Sequence, residues 1–296
     1  MTNNKRALVL AGGGSKGAFQ VGVLKHLLGD LQIHYDIISG ISVGALNAGY
    51  LCQFYEGQEK ESIESLEQVW DSIKESDVYT RHVPFGKMAS LWKPSIYDSS
   101  NLKKFVSKNL DVNKVKNSGK ELRICACSLI TGDVKYWNEK DSNELCDAIL
   151  ASSAFPIFFN PVMVDGDLYT DAGVKEIAPF NSAIAAGATE IDIILTSPLG
   201  SQVWKDKKDH NVIKVLLRTL ELMTDEILEN DLIAIEKINK RIKEGKAEEH
   251  HKHIVVNLFK PDKILIENSL DFNKNKLSKM KQIGYEVGKN HEWNKT

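Results

Sequence analysis

Short apolar runs rich in β-branched residues alternate with helix-like segments along this chain, and this alternation restricts the fold more than any other feature. The predicted strands are Arg6–Ala11, Tyr35–Ser39, Leu122–Leu129, Val134–Trp137, Ile191–Thr196 and Ile254–Phe259. Strands separated by helices have room to run parallel. Strands that are apolar along their whole length are typical of a sheet covered by helices on both faces. The pattern therefore predicts an α/β fold, a three-layer αβα sandwich around a mostly parallel sheet.

The remaining segments complete this arrangement. The predicted helices are Ala18–Gly29, Val43–Phe54, Ile63–Ser76, Ser99–Lys108, Ser142–Ser152, Val212–Lys243 and Asn273–Lys289. Thr131-Gly132-Asp133 indicates a hairpin between two of the strands, so the sheet is predicted to be mixed. No linker rich in Pro, Gly or Ser and no internal repeat divides the chain, so residues 1–296 are predicted to form a single domain. The long helix Val212–Lys243 is expected to pack on the sheet.

A glycine-rich turn follows the first predicted strand. It consists of Gly12-Gly13-Gly14-Ser15-Lys16-Gly17 and leads directly into a helix. Glycines allow backbone angles closed to other residues and leave their N–H groups unhindered. At a helix N-terminus such N–H groups attract negative charge. The turn can therefore be a phosphate loop, a dinucleotide-binding turn or an oxyanion hole.

The flanking residues separate these three interpretations. A phosphate loop needs Ser or Thr after its lysine to hold magnesium, and Gly17 follows Lys16 here. A dinucleotide-binding turn needs an acidic residue at the end of the next strand, whereas Asp36 stands at its start. A non-catalytic nucleotide-binding module stays an alternative, because Gly12, Gly14 and Gly17 match the G-x-G-x-x-G spacing. The third interpretation is an oxyanion hole, in which backbone N–H groups stabilise an alkoxide.

A serine stands between a short apolar strand and a helix of small residues. The segment is Gly40-Ile41-Ser42-Val43-Gly44, which matches the G-x-S-x-G pattern of a nucleophile elbow. Glycines flank the serine because the helix must pass close to the strand. Ser42 is therefore the candidate nucleophile, with an ordinary helix-capping serine as the alternative.

A serine hydroxyl needs a base to remove its proton. None of the eight histidines stands in a glycine-flanked loop after a strand. A predicted hairpin over Asp165-Gly166-Asp167 is followed by Asp171-Ala172-Gly173, where the small residues are expected to leave the carboxylate exposed. Asp171 is therefore the candidate general base. A Ser–Asp–His esterase stays an alternative, and calcium is disfavoured because no bidentate glutamate follows these acids.

Four blocks taken together resemble the patatin-like phospholipase family of lipid acyl hydrolases. They are the glycine turn at 12–17, the elbow at 40–44, Ala151-Ser152-Ser153-Ala154-Phe155-Pro156 and Asp171-Ala172-Gly173, all within residues 7–180. The segment from Asp271 to Tyr285 is similar to the closing helix of the family. Ala172 departs from the pattern, because the family commonly has glycine there.

The resemblance implies a patatin-like fold and a serine acyl hydrolase of the phospholipase A, lysophospholipase or esterase type. It implies a Ser42–Asp171 dyad without histidine and an acyl-serine intermediate. It places the oxyanion hole at Gly12, Gly13 and Gly14, with supporting roles for Lys16, Gly17, Gly40, Gly44 and Gly173. Lys16 can either attract a phosphate head group or hold local structure. No cofactor and no metal are expected.

Charge and hydropathy indicate the partners. The 38 basic and 40 acidic side chains give a net charge of −2, so no cationic field indicates nucleic acid. No apolar run approaches the roughly 20 residues that span a bilayer, and the first one is too short for a secretory signal. We expect a cytoplasmic protein with a lipid or ester substrate and transient contact with a membrane surface. The sequence does not indicate the oligomeric state.

Overall fold

The predicted alternation builds one central eight-stranded sheet in the computed structural model, which describes residues 4–81, 95–200, 212–248 and 251–294. The strands are β1 (Lys5–Leu10), β2 (Ile37–Gly40), β3 (Thr80–Arg81), β4 (Tyr97–Asp98), β5 (Glu121–Ser128), β6 (Val134–Trp137), β7 (Val162–Val164), β8 (Asp167–Asp171), β9 (Ala188–Ile194) and β10 (Val255–Phe259). The sheet order is β10-β9-β1-β2-β5-β8-β7, with β6 paired to β5, while β3 and β4 form a separate pair.

The direction of the strands confirms a mostly parallel, mixed sheet. Neighbours from β10 through β9, β1 and β2 to β5 are parallel. β6 and β8 run antiparallel to β5, and β7 runs antiparallel to β8. Both predicted hairpins are therefore confirmed, because each turn joins two paired antiparallel strands.

The helices confirm most of the predicted segments, although several ends differ by a few residues. They are Gly17–Leu24, Val43–Leu51, Glu59–Ser72, Glu75–Val78, Ser100–Asn109, Val112–Asn117, Leu145–Ser152, Phe180–Ala185, Val212–Lys243 and Lys274–Lys289. The predicted helix Ile63–Ser76 is wrong as a single element, because the chain is extended at Ile73 and restarts as a second short helix. Val112–Asn117 and Phe180–Ala185 were not predicted, since six residues are too few to show helical periodicity.

Apolar side chains on the two faces of β1 show the three layers. Leu8 and Leu10 pack in a cluster with Phe19 of the helix Gly17–Leu24. Val9 packs in a second cluster with Leu228 of the helix Val212–Lys243. Because side chains alternate along a strand, these clusters lie on opposite faces of the sheet. The αβα arrangement and the packing of the long helix are thus confirmed, while the single-domain assignment stays a prediction.

No helix in the described ranges combines the length and the apolar character needed to cross a bilayer.

A buried carboxylate on β9 links this strand to residues of its two neighbours, β1 and β10. Asp192 on β9 is fully buried. Its Oδ2 accepts hydrogen bonds from Arg6 Nη2 at 2.8 Å and from the Tyr35 hydroxyl at 2.6 Å. Its Oδ1 accepts one from Asn257 Nδ2 at 2.7 Å. Burial and the nearby Asp192 charge raise the pKa of Tyr35 well above its usual value, so the phenol remains a donor.

We expect Asp192→Ala to lower the free energy of unfolding by about 3–5 kcal/mol, because it leaves a buried phenol and a buried amide without their acceptor and removes the buried carboxylate that pairs with Arg6. Urea unfolding measures this loss. Glu190→Ala is the matched control, because Glu190 lies on the same strand and contacts Arg6 at 3.2 Å but keeps 34% of its side chain exposed. This control should cost less than about 1 kcal/mol. Equal losses in the two variants would contradict a special role of the buried carboxylate.

Candidate active site

The parallel register brings the glycine turn and the elbow to one edge of the sheet. Leu10 at the end of β1 pairs with Gly40 at the end of β2. The glycine turn follows the first of these residues and Ser42 follows the second. Since the carboxyl ends of neighbouring parallel strands share one edge, the two loops must lie side by side.

An antiparallel strand brings Asp171 to the same edge. Asp171 ends β8 and pairs with Ala126 of β5, two residues beyond Ile124, which pairs with Gly40. This register places the aspartate next to the elbow. Gly12–Gly14, Lys16, Ser42, Asp171 and Gly173 all line one cavity of about 1220 Å³. Gly17, Gly40 and Gly44 are not among its lining residues.

Ser42 occupies a strained backbone conformation. Its φ is 56° and its ψ is −127°, outside the regions that non-glycine residues usually adopt. A Cβ on Gly40 would overlap the Gly44 carbonyl, and one on Gly44 would overlap the Leu10 carbonyl. The elbow therefore requires both glycines, as predicted from the close approach of helix and strand. The Ser42 amide donates to Ser152 Oγ at 2.9 Å, which fixes the turn.

The glycine turn has two backbone donors without a hydrogen-bond partner in the described part of the chain. Gly13 and Gly14 have positive φ angles of 149° and 58°. A Cβ on the first would overlap Thr196, and one on the second would overlap the Ser269 carbonyl. The Gly12 amide donates to a carbonyl at 3.3 Å, whereas no hydrogen bond links the amides of Gly13 and Gly14 to any described residue. Two residues of the cavity lining thus carry backbone N–H groups that have no hydrogen-bond partner among the described residues.

Gly12 and Gly17 allow close packing in the same turn. A Cβ on Gly12 would lie 3.2 Å from the Cβ of Ser42, tighter than ordinary contact. A Cβ on Gly17 would lie 2.8 Å from the Trp70 ring and still closer to Val43. These glycines therefore keep the turn close to the elbow and to the helix that follows it.

The predicted exposure of Asp171 is wrong, because the residue is only 1% exposed. Its amide donates to the Ala154 carbonyl at 3.1 Å, so the block around residues 151–156 packs over it. Its Oδ1 accepts the Gly173 amide at 2.8 Å, and its buried Oδ2 makes no hydrogen bond of ordinary geometry with a described residue. Burial raises the pKa of Asp171 to about 7, against the opposing effects of the Gly173 amide and the nearby Ser42 side chain.

The block at 151–156 supports both functional side chains. Ser152 accepts the Ser42 amide, and the Ala154 carbonyl also accepts the Thr170 hydroxyl at 2.7 Å. Phe155 lines the cavity. The sequence did not indicate the role of Ser152, because nothing in the pattern distinguishes it from Ser153.

Lys16 reaches the other side of the cavity. Its Nζ donates to Ser197 Oγ at 2.6 Å. Burial lowers its pKa, and the charges of Glu221 and Asp225 oppose that shift. Glu221, Asp225 and Arg218 also line the cavity. They were not predicted, because charged residues on a long helix look like a solvated face.

Asp36 lies at the wrong edge to bind a ribose at the glycine turn. Its Oδ2 accepts the amide of Arg6 at 2.8 Å, near the start of β1. The glycine turn lies at the other end of that strand. The structure therefore argues against a dinucleotide bound across this turn.

Three of the described histidines make contacts away from the cavity lining. His26 contacts Asp30 at 2.9 Å, and His34 contacts Glu59 at 3.0 Å. His291 packs on the ring of Phe259. No histidine lines the cavity within the described ranges, and no cluster of metal-ligating residues occurs there. His82, His210 and His250 lie outside those ranges.

The elbow serine, the glycine turn and the buried aspartate thus lie at one edge of a mostly parallel sheet in a three-layer α/β protein. A family model described as "Patatin-like phospholipase" matches residues 8–184, and the chain belongs to this family. This match confirms the resemblance predicted from the four sequence blocks.

Three curated relatives show how far the similarity extends. The chain is 29% identical to "Uncharacterized protein YjjU" of Escherichia coli (strain K12), over 65% of this chain and 52% of that protein. It is 26% identical to "Calcium-independent phospholipase A2-gamma" of Mus musculus, over 57% of this chain and 24% of that protein. It is 27% identical to "cGAMP-activated phospholipase" of Escherichia coli (strain TW11681), over 53% of this chain and 48% of that protein. The match thus spans about half or less of each relative.

Proposed function

We propose that this protein is a serine acyl hydrolase that cleaves carboxylic esters of lipids through Ser42 and Asp171, without a histidine. The observation that carries the proposal is a single cavity lined by a strained elbow serine, a buried carboxylate and two unpaired backbone N–H groups. Membership of the patatin-like phospholipase family and the phospholipase names of two relatives support ester hydrolysis and a lipid substrate.

The first half-reaction forms an acyl-serine. Asp171 accepts the proton of the Ser42 hydroxyl while Oγ attacks the ester carbonyl carbon. The carbonyl oxygen becomes negative in the glycine turn, where the N–H groups of Gly13 and Gly14 are available to stabilise it. Gly12 has no side chain, and this allows the glycine turn to lie close to Ser42. The C–O bond then breaks, and the leaving alkoxide takes the proton from Asp171.

The second half-reaction releases the fatty acid. Water attacks the acyl carbon while Asp171 takes its proton, and the oxyanion forms again in the glycine turn. Collapse of this intermediate breaks the bond to Ser42 Oγ, which recovers the proton. Both half-reactions use the same three parts of the cavity.

Burial makes the aspartate a competent base. A free aspartate has a pKa of about 3.9 and accepts a serine proton poorly. The pKa of Asp171 is raised to about 7, close to neutral pH, where general bases act most efficiently. A single oxyanion donor typically contributes about 3–4 kcal/mol, so the unpaired amides supply the second large effect.

The raised pKa predicts the pH dependence of hydrolysis. Because protonated Asp171 cannot accept the serine proton, kcat/KM for a short-chain nitrophenyl ester should rise with pH through about 7 and then level off. Glu176→Gln is the control, because the pKa of Glu176 is also raised to about 7 but this residue is not part of the cavity lining. The rise should persist in this variant. A flat profile between pH 5 and 8, or loss of the rise in the control, would contradict Asp171 as the base.

We also propose where the substrate comes from, where the reaction takes place and how the chain is organised into domains. We infer that the substrate is drawn from a lipid surface by transient contact, in a cytoplasmic setting, and that residues 1–296 act as one domain.

A further inference from the structure

The cavity has two walls of different chemistry. One wall consists of apolar side chains that belong to the larger core cluster or pack against it, among them Leu66, Trp70, Leu102, Val106, Phe155 and Phe158. Charged groups also line the cavity: Lys16 from the glycine turn, Arg218, Glu221 and Asp225 from the helix Val212–Lys243, and Lys263 and Glu267 nearer the C-terminus. Ser42 and Asp171 line the same cavity. An ester bound at the serine therefore has an apolar surface for its acyl chain and a charged surface for another part of the molecule.

The ammonium of Lys16 belongs to the glycine turn. A Cβ on Gly13 would lie 3.2 Å from Lys16 Cε, so the lysine side chain folds back along the turn. Its Nζ donates one hydrogen bond within the described ranges, to Ser197 Oγ. An ammonium carries three donors, so two have no partner among those residues and can serve a ligand. A positive group is thus placed beside the two unpaired amides.

Negative groups face this ammonium from the long helix. Glu221 pairs with Arg218 at 2.7 Å. Asp225 forms no salt bridge with Lys16 in the described part of the chain, although the charge of Asp225 acts on the lysine. The pKa of Asp225 is raised to about 6 by burial and by Glu221, which still leaves it mostly ionised at neutral pH. Lys16 and Asp225 therefore line the same cavity with opposite charges, and they form no salt bridge with each other in the described part of the chain.

We propose that Lys16 and Asp225 bind the phosphate and the ammonium of a zwitterionic head group, so that the preferred substrates are zwitterionic glycerophospholipids. This inference rests on the proposed function. In such a lipid the phosphate lies only a few bonds from either ester carbonyl. When the carbonyl oxygen occupies the glycine turn, the phosphate comes next to Lys16, and the ammonium beyond it reaches Asp225. The scissile acyl chain then lies against the apolar wall.

The wild-type protein tests the preference directly. Phosphatidylethanolamine and phosphatidylglycerol with identical acyl chains are compared in mixed micelles of a neutral detergent. Both carry the phosphate, but only the first carries the ammonium. We expect kcat/KM to be about tenfold higher for phosphatidylethanolamine, which corresponds to about 1.4 kcal/mol. Equal values for the two lipids would overturn the inference.

A substitution on the long helix tests whether the preference for phosphatidylethanolamine depends on one side chain. Asp225→Asn should lower kcat/KM for phosphatidylethanolamine and bring the ratio of the two lipids close to one. Glu236→Gln is the matched control, because Glu236 is exposed on the same helix and does not line the cavity. The control should keep the wild-type ratio. A preference that survives in Asp225→Asn would assign it elsewhere and refute the role of this carboxylate.

A binding measurement separates this inference from the proposed function. Ser42→Ala protein is heated with sn-glycero-3-phosphoethanolamine or with glycerol 3-phosphate, and the shift in Tm is recorded. Stabilisation by the first compound but not by the second supports the zwitterion site even without turnover. Equal shifts, or none, would overturn it. If the wild-type protein hydrolysed neither lipid nor a nitrophenyl ester, the proposed function would fail instead.

Discussion

Ser42→Ala should abolish hydrolysis of every ester substrate, with kcat reduced on the order of 10⁴- to 10⁶-fold. The loss is large because Ser42 is the proposed acceptor of the acyl group, and its strained turn lies at the edge where the amides of Gly13 and Gly14 have no partner among the described residues. Binding of substrate and the oxyanion donors would remain, so a small residual rate above that of water is expected.

The fold should tolerate this change. The elbow is fixed by the amide of Ser42, which keeps its bond to Ser152 Oγ in the alanine variant. We expect the free energy of unfolding to change by less than about 1 kcal/mol. Ser72→Ala, on an exposed helix position away from the cavity, is the control for activity and stability. Substantial turnover by folded Ser42→Ala protein would show that Ser42 is not the nucleophile.

Asp171→Asn should lower activity and raise stability at the same time. The amide has the shape of the carboxylate but cannot accept a proton, so kcat should fall on the order of 10²- to 10⁴-fold. The same change removes a charge that burial disfavours. A group with a raised folded pKa destabilises the fold as pH rises, because the native state then holds the proton more tightly than the unfolded chain.

The pH window follows from the two pKa values. Asp171 titrates at about 7 when folded and at about 3.9 when unfolded, so its contribution to stability falls between about pH 4 and pH 7. At pH 8 the asparagine variant should be more stable by up to about 4 kcal/mol, and near pH 4 the difference should disappear. Urea unfolding of both proteins at the two pH values measures this. A variant that is less stable at pH 8 would show that Asp171 is not a buried, destabilised base.

Features that depend on local sterics could be predicted from the sequence. The glycine turn and the elbow are recognisable because the conformation of Gly13 and the approach of Gly44 to Leu10 leave no room for larger residues. The helix Val212–Lys243 and the strand Val134–Trp137 were predicted with the observed bounds, since their apolar periodicity is regular. Local patterns encode these elements directly.

Features that depend on tertiary packing could not be predicted. Asp171 lines the same cavity as Ser42, but its burial depends on elements distant in sequence that pack around it, such as the segment of Ala154, which accepts its amide. Ser152 accepts the Ser42 amide because the helix Leu145–Ser152 ends beside the elbow, and the local sequence does not indicate where this helix lies. Asp225 faces the cavity because of the way the long helix lies on the sheet, which no sequence period specifies.

The most direct test of the account is active-site labelling with a fluorophosphonate, followed by peptide mapping by mass spectrometry. We expect one adduct on Ser42 in the wild-type protein, labelling about a hundredfold slower in Asp171→Asn, and none in Ser42→Ala. An adduct on another residue, or labelling that continues in folded Ser42→Ala protein, would contradict a serine activated by a single buried aspartate.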